Sequence, residues 1–396
     1  MVRTRRAVGI VLALAVPLFL LALLSRPSPA ATAEQPFRYP EGRSGSGELK
    51  YRHGLPVLTV AGTPEEMGTA VGALGLKPGR RMLGYPRELL DVNGAGKLYG
   101  SFLAVGRDMV KRFPADYRTE MDAMVRSAGV DRDAVIVGNT LFDVKKIFAC
   151  SALLVEAERS STGGPLMGRN LDYPSLGYAH QYTLVTVYRP KGKHAFVSVG
   201  FPGLVGCLSG MNDAGLSVAV LEVFQAKDGE TTFDVEGLPY ALCYRKLLEE
   251  CGTIDEAAKL LRSLPRVAMT NLVVADRDGV AVFEVSPRRV EVRRAASGIL
   301  PCTNHYVTPP LAPKEQVDVC VTLERYDSLS KALDGRSRLS PEDLRHDLER
   351  ASLGDLTLQT MVFEPRTLKL HLAVGELPAA KGPFHTLELG PLFRGE

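Results

Sequence analysis

The chain has no tryptophan, only seven histidines, and 7% aromatic residues. With no Trp and no Lys/Arg stripe interleaved with aromatics, it carries no nucleic-acid footprint, and no nucleic-acid partner is expected. The histidines form no H-E-x-x-H pattern and none sits in a triad-like local motif. A cysteine nucleophile in this chain therefore need not use histidine as its base. The six cysteines, Cys150, Cys207, Cys243, Cys251, Cys302 and Cys320, lie far apart, without C-x-x-C or a Cys/His ligand cluster. That spacing excludes a zinc-finger framework, and no metal or cofactor is expected. The five later cysteines are left open as disulfide partners. Internal repeats and low-complexity tracts are also lacking.

Apolar residues make up 45% of 396 positions, enough to fill a large layered core. The first stretch stands apart. Arg3, Arg5 and Arg6 precede an unbroken apolar run from Ala7 to Leu24, followed by Pro27, Pro29 and Ala31-Thr32-Ala33. This is the pattern of a basic region, an apolar region and an A-x-A cleavage site, so residues 1–33 are expected to be a signal peptide. The run is nearly long enough to span a bilayer, and a retained anchor through residues 7–24 is the rival reading. Thr4-Arg5-Arg6 also admits twin-arginine export. Removing residues 1–33 takes the formal charge from +3 to about −1, so the apparent basicity belongs to the leader. The mature protein is expected to be secreted or otherwise extracytoplasmic.

Residues 34–50, rich in Gly and Ser, read as a flexible lead-in, with folding beginning near Leu55. From there to Lys146 the pattern is mainly helical. Thr63 caps a helix with Pro64 at its first position, Pro114 opens another that runs to Gly129, and Asp131 caps a third. At Cys150 the period becomes extended. Strands are predicted over 151–157, 166–173, 182–188, 195–201 and 216–224, and again over 271–275, 280–285 and 290–293. A helical insert spans 240–264, with Thr253 and Glu256 as a capping box. Helices near 319–333 and from Ser340-Pro341 precede a closing hairpin, 356–363 with 368–373. Strand meanders with segregated helices argue for an α+β layered fold, not a doubly wound parallel sheet.

The richest segment is Phe148-Ala149-Cys150-Ser151-Ala152 followed by Gly168-Arg169-Asn170-Leu171-Asp172. Two strands joined through the Thr162-Gly163-Gly164 turn bring the start of the first to the end of the second. A thiol, a guanidinium and a carboxylate then meet. Taken singly, Cys150 reads as a small core residue, and Arg169 with Asp172 as a structural ion pair. Asn304 after Thr303 reads as an Asx turn and Arg325 as a surface helix residue.

Taken together, these motifs resemble the acyl-CoA:6-aminopenicillanic acid acyltransferase family of N-terminal-nucleophile (Ntn) hydrolases. More distantly the chain is similar to choloylglycine hydrolases, penicillin V acylases and acid ceramidases. The matching features are Gly62-Thr63-Pro64-Glu65-Glu66-Met67-Gly68, Cys150, Gly168 to Asp172, Ser209-Gly210-Met211-Asn212-Asp213-Ala214-Gly215-Leu216, Cys302-Thr303-Asn304-His305-Tyr306 and Leu323-Glu324-Arg325-Tyr326. Together they run in family order.

The resemblance implies a four-layer αββα sandwich and autocatalytic cleavage between Ala149 and Cys150. That cut would leave a propeptide or α-chain, residues 34–149, associated with a catalytic β-chain, residues 150–396. It further implies that Cys150 is the nucleophile and its freed α-amine the base, that Arg169 steadies the thiolate, and that Asp172 holds the amine. Asn304 would be the oxyanion-hole donor, and Arg325 would support the cluster. The implied reaction is cleavage of a linear N-acyl amide through an S-acyl-cysteine. Acyl transfer to another amine, a non-catalytic envelope binding role on the same fold, and a cysteine protease using His305 are the alternatives. The acyl pocket is expected near Phe201, Leu204, Val205, Phe224 and Tyr306. Where choloylglycine hydrolases carry a polar Asn or Tyr after the strand following the Met211-Asn212 hairpin, this chain has Glu222-Val223-Phe224.

Overall fold

The computed structural model describes residues 36–146 and 149–396. The leader at 1–33 lies outside the described residues. No helix among the described residues is long and apolar enough to cross a membrane.

The N-terminal part forms strands β1 (Gly42–Ser44), β2 (Gly47–Arg52) and β3 (Leu55–Gly62), then helices α1 (Pro64–Val71), α2 (Tyr85–Val92), α3 (Tyr99–Val110), α4 (Ala115–Ala128) and α5 (Arg132–Val144). Local sequence sets the helix boundaries. Thr63 and Glu66 form a reciprocal capping box with Pro64 at the first position, α4 ends on the left-handed Gly129, and the Asp131 side chain caps α5. The lead-in departs from expectation. Part of residues 34–50 is β1 and β2 at the edge of a sheet, because Leu49 is fully buried and Gly47 lies against Ala70 of α1. The strand Leu55–Gly62 also replaces the helical reading there.

Next come β4 (Ala149–Val155), β5 (Leu166–Asp172), β6 (Leu184–Pro190), β7 (Phe196–Gly200), β8 (Ser209–Asn212) and β9 (Ser217–Glu222). They are followed by α6 (Tyr240–Glu250), α7 (Ile254–Ser263), β10 (Thr270–Ala275), β11 (Val280–Val285), β12 (Val290–Arg294) and β13 (Ile299–Cys302). The chain closes with α8 (Thr322–Ser330), α9 (Pro341–Arg350), β14 (Thr357–Glu364), β15 (Lys369–Val374), β16 (His385–Glu388) and α10 (Leu389–Arg394).

One sheet has ten strands in the order β1-β2-β3-β6-β7-β8-β9-β10-β11-β12, and the other has six, β13-β4-β5-β14-β15-β16. Every pairing is antiparallel except β3 with β6. The central strands are buried on both faces, as sheets covered on both sides must be. The two sheets face each other through β4 and β5 against β9 and β10. Helices α1, α6 and α7 pack on the outer side of the large sheet, and α8 and α9 on that of the small one. The architecture is α+β, a four-layer αββα sandwich.

Candidate active site

The β4–β5 register sets the site. Ala149 pairs with Asp172, Cys150 with Leu171, and Ala152 with Arg169. Side chains alternate along a strand, so Cys150 and its diagonal neighbour Arg169 share the face turned to the large sheet. Ser151, Asn170 and Asp172 take the other face. There, Asn170 Nδ2 donates to Ser151 Oγ (3.1 Å) and to the Leu348 carbonyl on α9 (2.7 Å).

Arg169 Nη2 lies 3.1 Å from Cys150 Sγ and donates to the Val220 carbonyl of β9 at 2.8 Å. The remaining Arg169 nitrogens, Nε and Nη1, have no hydrogen-bond partner among the described residues. The guanidinium thus links Cys150 of β4 to the facing sheet.

Strand β13 pairs with β4 only from Ile299↔Val155 to Cys302↔Ala152. On that side the Cys150 backbone lies beyond the ladder and must find partners elsewhere. The chain after β13 supplies them. Asn304 Oδ1 accepts from the Cys150 N–H at 3.0 Å, and Arg325 Nη1 donates to the Cys150 carbonyl at 2.8 Å. Arg325 Nη2 also donates to Asn304 Oδ1 at 2.7 Å, and its Nε to the Cys320 carbonyl at 3.0 Å. Asn304 Nδ2 donates to the Glu222 carbonyl at 2.8 Å, while the Asn304 N–H donates to Thr322 Oγ1 at 2.9 Å. The turn into α8 puts Cys320 and Val321 at φ 55° and 47°. This left-handed backbone costs L-residues about 1–2 kcal/mol each, and here it presents Thr322 and Arg325 to the site.

Asp172 Oδ1 accepts from Thr357 Oγ1 at 2.5 Å, and its Oδ2 lies 3.5 Å from Arg325 Nη1. The Cys150 nitrogen therefore faces Asn304, and Asp172 sits opposite Ala149. Burial raises the Asp172 carboxyl above its usual range, opposed first by Arg325. Burial pushes the Cys150 thiol up to about 11, with Arg169 pulling down and Asp172 and Glu222 adding to the rise.

The structure thus brings Cys150, Arg169, Asp172, Asn304 and Arg325 together around the Ala149–Cys150 bond. His305 is placed differently. Its Nδ1 lies 3.1 Å from Thr303 Oγ1 and 3.0 Å from Thr322 Oγ1, and burial lowers its pKa to about 4. It is a neutral structural ring at pH 7. All six cysteines are free thiols.

Of the expected acyl-pocket residues, Phe201 and Leu204 line an apolar cleft with Met82, Tyr85, Phe142 and Tyr173. Phe224 packs instead with Ala149 and Cys320, Tyr306 with Val223, Met269 and Leu311, and the Val205 carbonyl accepts from Arg245.

Several groups at the site had no sequence signal. Lys146 Nζ donates to the Met269 carbonyl at 2.6 Å and stands 5.7 Å from the Tyr240 ring centroid. Burial lowers its pKa, opposed by Glu222 and Asp143. Asp143 Oδ1 accepts the Tyr240 N–H at 2.9 Å, and burial raises the Asp143 carboxyl to about 7. A period-two strand pattern marks Glu222 only as a buried position, and Lys146 follows a helix with no motif of its own.

Residues 159–376, more than half of the chain, match the family acyl-coenzyme A:6-aminopenicillanic acid acyl-transferase, and the chain belongs to that family. A protein of Archaeoglobus fulgidus described as uncharacterized is 25% identical over 332 residues, 70% of this chain and 54% of the relative. The chain thus spans about half the length of that relative.

Among solved structures, the chain is similar to a Caenorhabditis elegans ortholog of N-acylethanolamine-hydrolyzing acid amidase. The identity is 15%, coverage 55% of this chain and 93% of the other, and the TM-score 0.42. A variant of the conjugated bile acid hydrolase of Clostridium perfringens matches at 13% identity, with 61% and 92% coverage and a TM-score of 0.43. Penicillin V acylase of Agrobacterium tumefaciens matches at 13%, with 61% and 92% coverage and a TM-score of 0.40.

Proposed function

We propose that the protein is an exported, self-cleaving amidohydrolase in which Cys150 first severs its own chain and then cleaves linear N-acyl amides. The observation that carries this reading is the way the Cys150 backbone is held. Its N–H is fixed by Asn304 and its carbonyl by Arg325, while Arg169 stands 3.1 Å from the thiol.

In the processing step, Cys150 Sγ attacks the Ala149 carbonyl carbon and the thiol proton passes to the departing nitrogen. The C–N bond breaks, and the acyl group moves from nitrogen to sulfur. Water then cleaves the thioester, leaving a carboxylate on Ala149 and a free thiol and amine on Cys150.

The cut creates the base for turnover. An α-amine has a reference pKa of about 7.7 to 8 and accepts a proton near neutrality, which a Lys amine at about 10.4 does not. Burial favours its neutral form further. The amine inherits the 3.0 Å contact with Asn304 Oδ1, which orients it beside its own thiol. The amine takes the thiol proton, sulfur attacks the substrate carbonyl, and the amine portion leaves with that proton. Water then releases the acid from the S-acyl-Cys150.

Asn304 Nδ2 is committed to the Glu222 carbonyl in the uncut chain, so its service as oxyanion donor requires exchanging that contact. Losing one such donor costs roughly 2.7–4 kcal/mol in other enzymes. Transfer of the acyl group to an amine uses the same intermediate and is favoured by the family match. Outside the cytoplasm, where acyl-CoA is not expected, water is the acceptor.

The test is an SDS gel with N-terminal sequencing of turnover-competent protein. Two bands, the smaller-numbered fragment ending at Ala149 and the other beginning at Cys150, are expected. A single uncut band in an active sample overturns the proposal.

A further inference from the structure

Asn304 is bonded to Cys150, yet it sits on an irregular segment after β13 and needs something to hold it. Two bonds come from α8, through Thr322 and Arg325. A third holder belongs to the other sheet. Asn271 lies in β10 of the large sheet, paired with Leu221 on one side and Glu284 on the other, and is fully buried. Its Nδ2 donates to the Thr303 carbonyl at 3.0 Å and to the His305 carbonyl at 2.8 Å. One amide group thus grips the backbone on both flanks of Asn304. Asn271 Oδ1 has no partner among the described residues, so the side chain is oriented by its donors alone.

We infer that Asn271 is a positioning residue for the reaction proposed above: it clamps the Thr303–His305 segment from the facing sheet and so sets the place of Asn304 relative to the nucleophile. It touches neither Cys150 nor the scissile bond and acts through Asn304. The inference rests on the self-cleaving reading. The nucleophile belongs to the small sheet and the clamp to the large one, so the bond pair fixes a distance across the sandwich core. Misplacement of a reacting group by about 1 Å can cost on the order of 100-fold in rate.

The experiment uses Asn271→Asp, which keeps the shape and turns both donors into acceptors facing carbonyls. Asn271→Ala is the second variant, removing the donors without repulsion. Three rates are read: appearance of the cut fragments from the full chain and, after cutting has gone to completion, hydrolysis of an N-acyl amide and alkylation of Cys150 by iodoacetamide in the cut form. Alkylation needs the thiol and no oxyanion. Expected are a 10- to 100-fold loss in self-cleavage and kcat, KM within threefold, and alkylation within threefold of wild type.

If alkylation falls with cleavage, Asn271 merely supports the fold. If either folded variant cleaves at the wild-type rate, the clamp is dispensable. Both outcomes overturn the inference, and failure of both variants to fold does the same, because it makes the role structural. Wild-type protein that never cuts itself defeats the self-cleaving reading instead, so the two failures are distinguishable.

Discussion

Asn304 Oδ1 accepts two hydrogen bonds at once, one from the Cys150 backbone N–H at 3.0 Å and one from Arg325 at 2.7 Å. A single carboxamide oxygen therefore joins the nitrogen that the proposed cut would free to the guanidinium holding the carbonyl of the same residue. Its nitrogen end points elsewhere, to the Glu222 carbonyl. Asn304→Asp keeps the acceptor and removes the donor. Self-cleavage and turnover are expected to fall about 100- to 1000-fold, the scale of a lost oxyanion donor. A time course of fragment appearance on a gel checks this. Cleavage within threefold of wild type would show that Nδ2 takes no part.

Arg169 is the cation nearest the thiol. Removing a neighbouring positive charge raises an acid's pKa by about 1–3 units, and only the thiolate is nucleophilic. Arg169→Met is expected to slow iodoacetamide labelling of Cys150 at pH 8 by tenfold or more. Mass spectrometry of the labelled protein reads this directly, and unchanged labelling would remove the guanidinium from the thiolate's support.

The thiol of the uncut chain is itself predicted to be sluggish. Burial raises it to about 11. In the cleavage-defective Asn304→Asp chain, alkylation at Cys150 should climb about tenfold per pH unit between pH 7 and pH 9 without levelling. A plateau below pH 9 would mean that the thiolate is already stabilised before cleavage.

How much of this was legible beforehand follows from physical range. The β4–β5 hairpin is legible because local chemistry specifies it: two short extended segments, a Gly-Gly turn, and a register that puts Ala149 opposite Asp172. Helix starts at Thr63, Asp131, Thr253 and Ser340 were visible for the same reason, since a cap is a contact two or three residues long. In residues 34–50 Gly and Ser mask β1 and β2, whose burial comes from α1, a partner formed later in the chain. Asn271 carries no local signal because its partners lie 32 and 34 residues away across a sheet interface. Nothing in local spacing reports a contact of that kind. Asn304 and Arg325 are named only through a resemblance, since their hydrogen bonds to the Cys150 backbone span 154 and 175 residues.

Asp143 offers a pH test. Burial raises its carboxyl from 3.8 to about 7, opposed by the Tyr240 N–H and by Lys146, the groups that face it. Between about pH 4 and pH 7 the folded chain holds a proton that the unfolded chain has released. Stability from this group is therefore full at low pH and lost as pH rises through 7. The span corresponds to roughly 4 kcal/mol at about 1.36 kcal/mol per unit. Asp143→Asn keeps the acceptor for Tyr240 and removes the titration. Relative to wild type, the variant should gain in unfolding temperature between pH 5 and pH 8. Parallel pH profiles for the two proteins would refute the assignment.

A buried ion network joins the segments on either side of the proposed cut. Arg245 of α6, 1% exposed, donates to both carboxylate oxygens of Glu120 on α4 at 2.8 and 2.6 Å, to Glu249 at 2.8 Å and to the Val205 carbonyl at 2.7 Å. Lys193 and the Tyr117 hydroxyl complete the shell around Glu249. Glu120 and Tyr117 precede the proposed cut, while Arg245, Glu249 and Lys193 follow it. The network is thus a bridge between the prospective chains. A buried pair is weak evidence for net stability, but breaking one partner strands a buried charge and costs roughly 3–5 kcal/mol. Arg245→Met leaves Glu120 without its cation and Glu249 with Lys193 alone. It should lower the unfolding temperature of the uncut chain and make the cut chains separate on size exclusion, where wild type stays together. The double change Arg245→Met with Glu120→Gln should recover part of the loss, because the stranded charge is gone. If the single variant behaves as wild type in both measurements, the β3–β6 ladder and apolar packing hold the halves without this network.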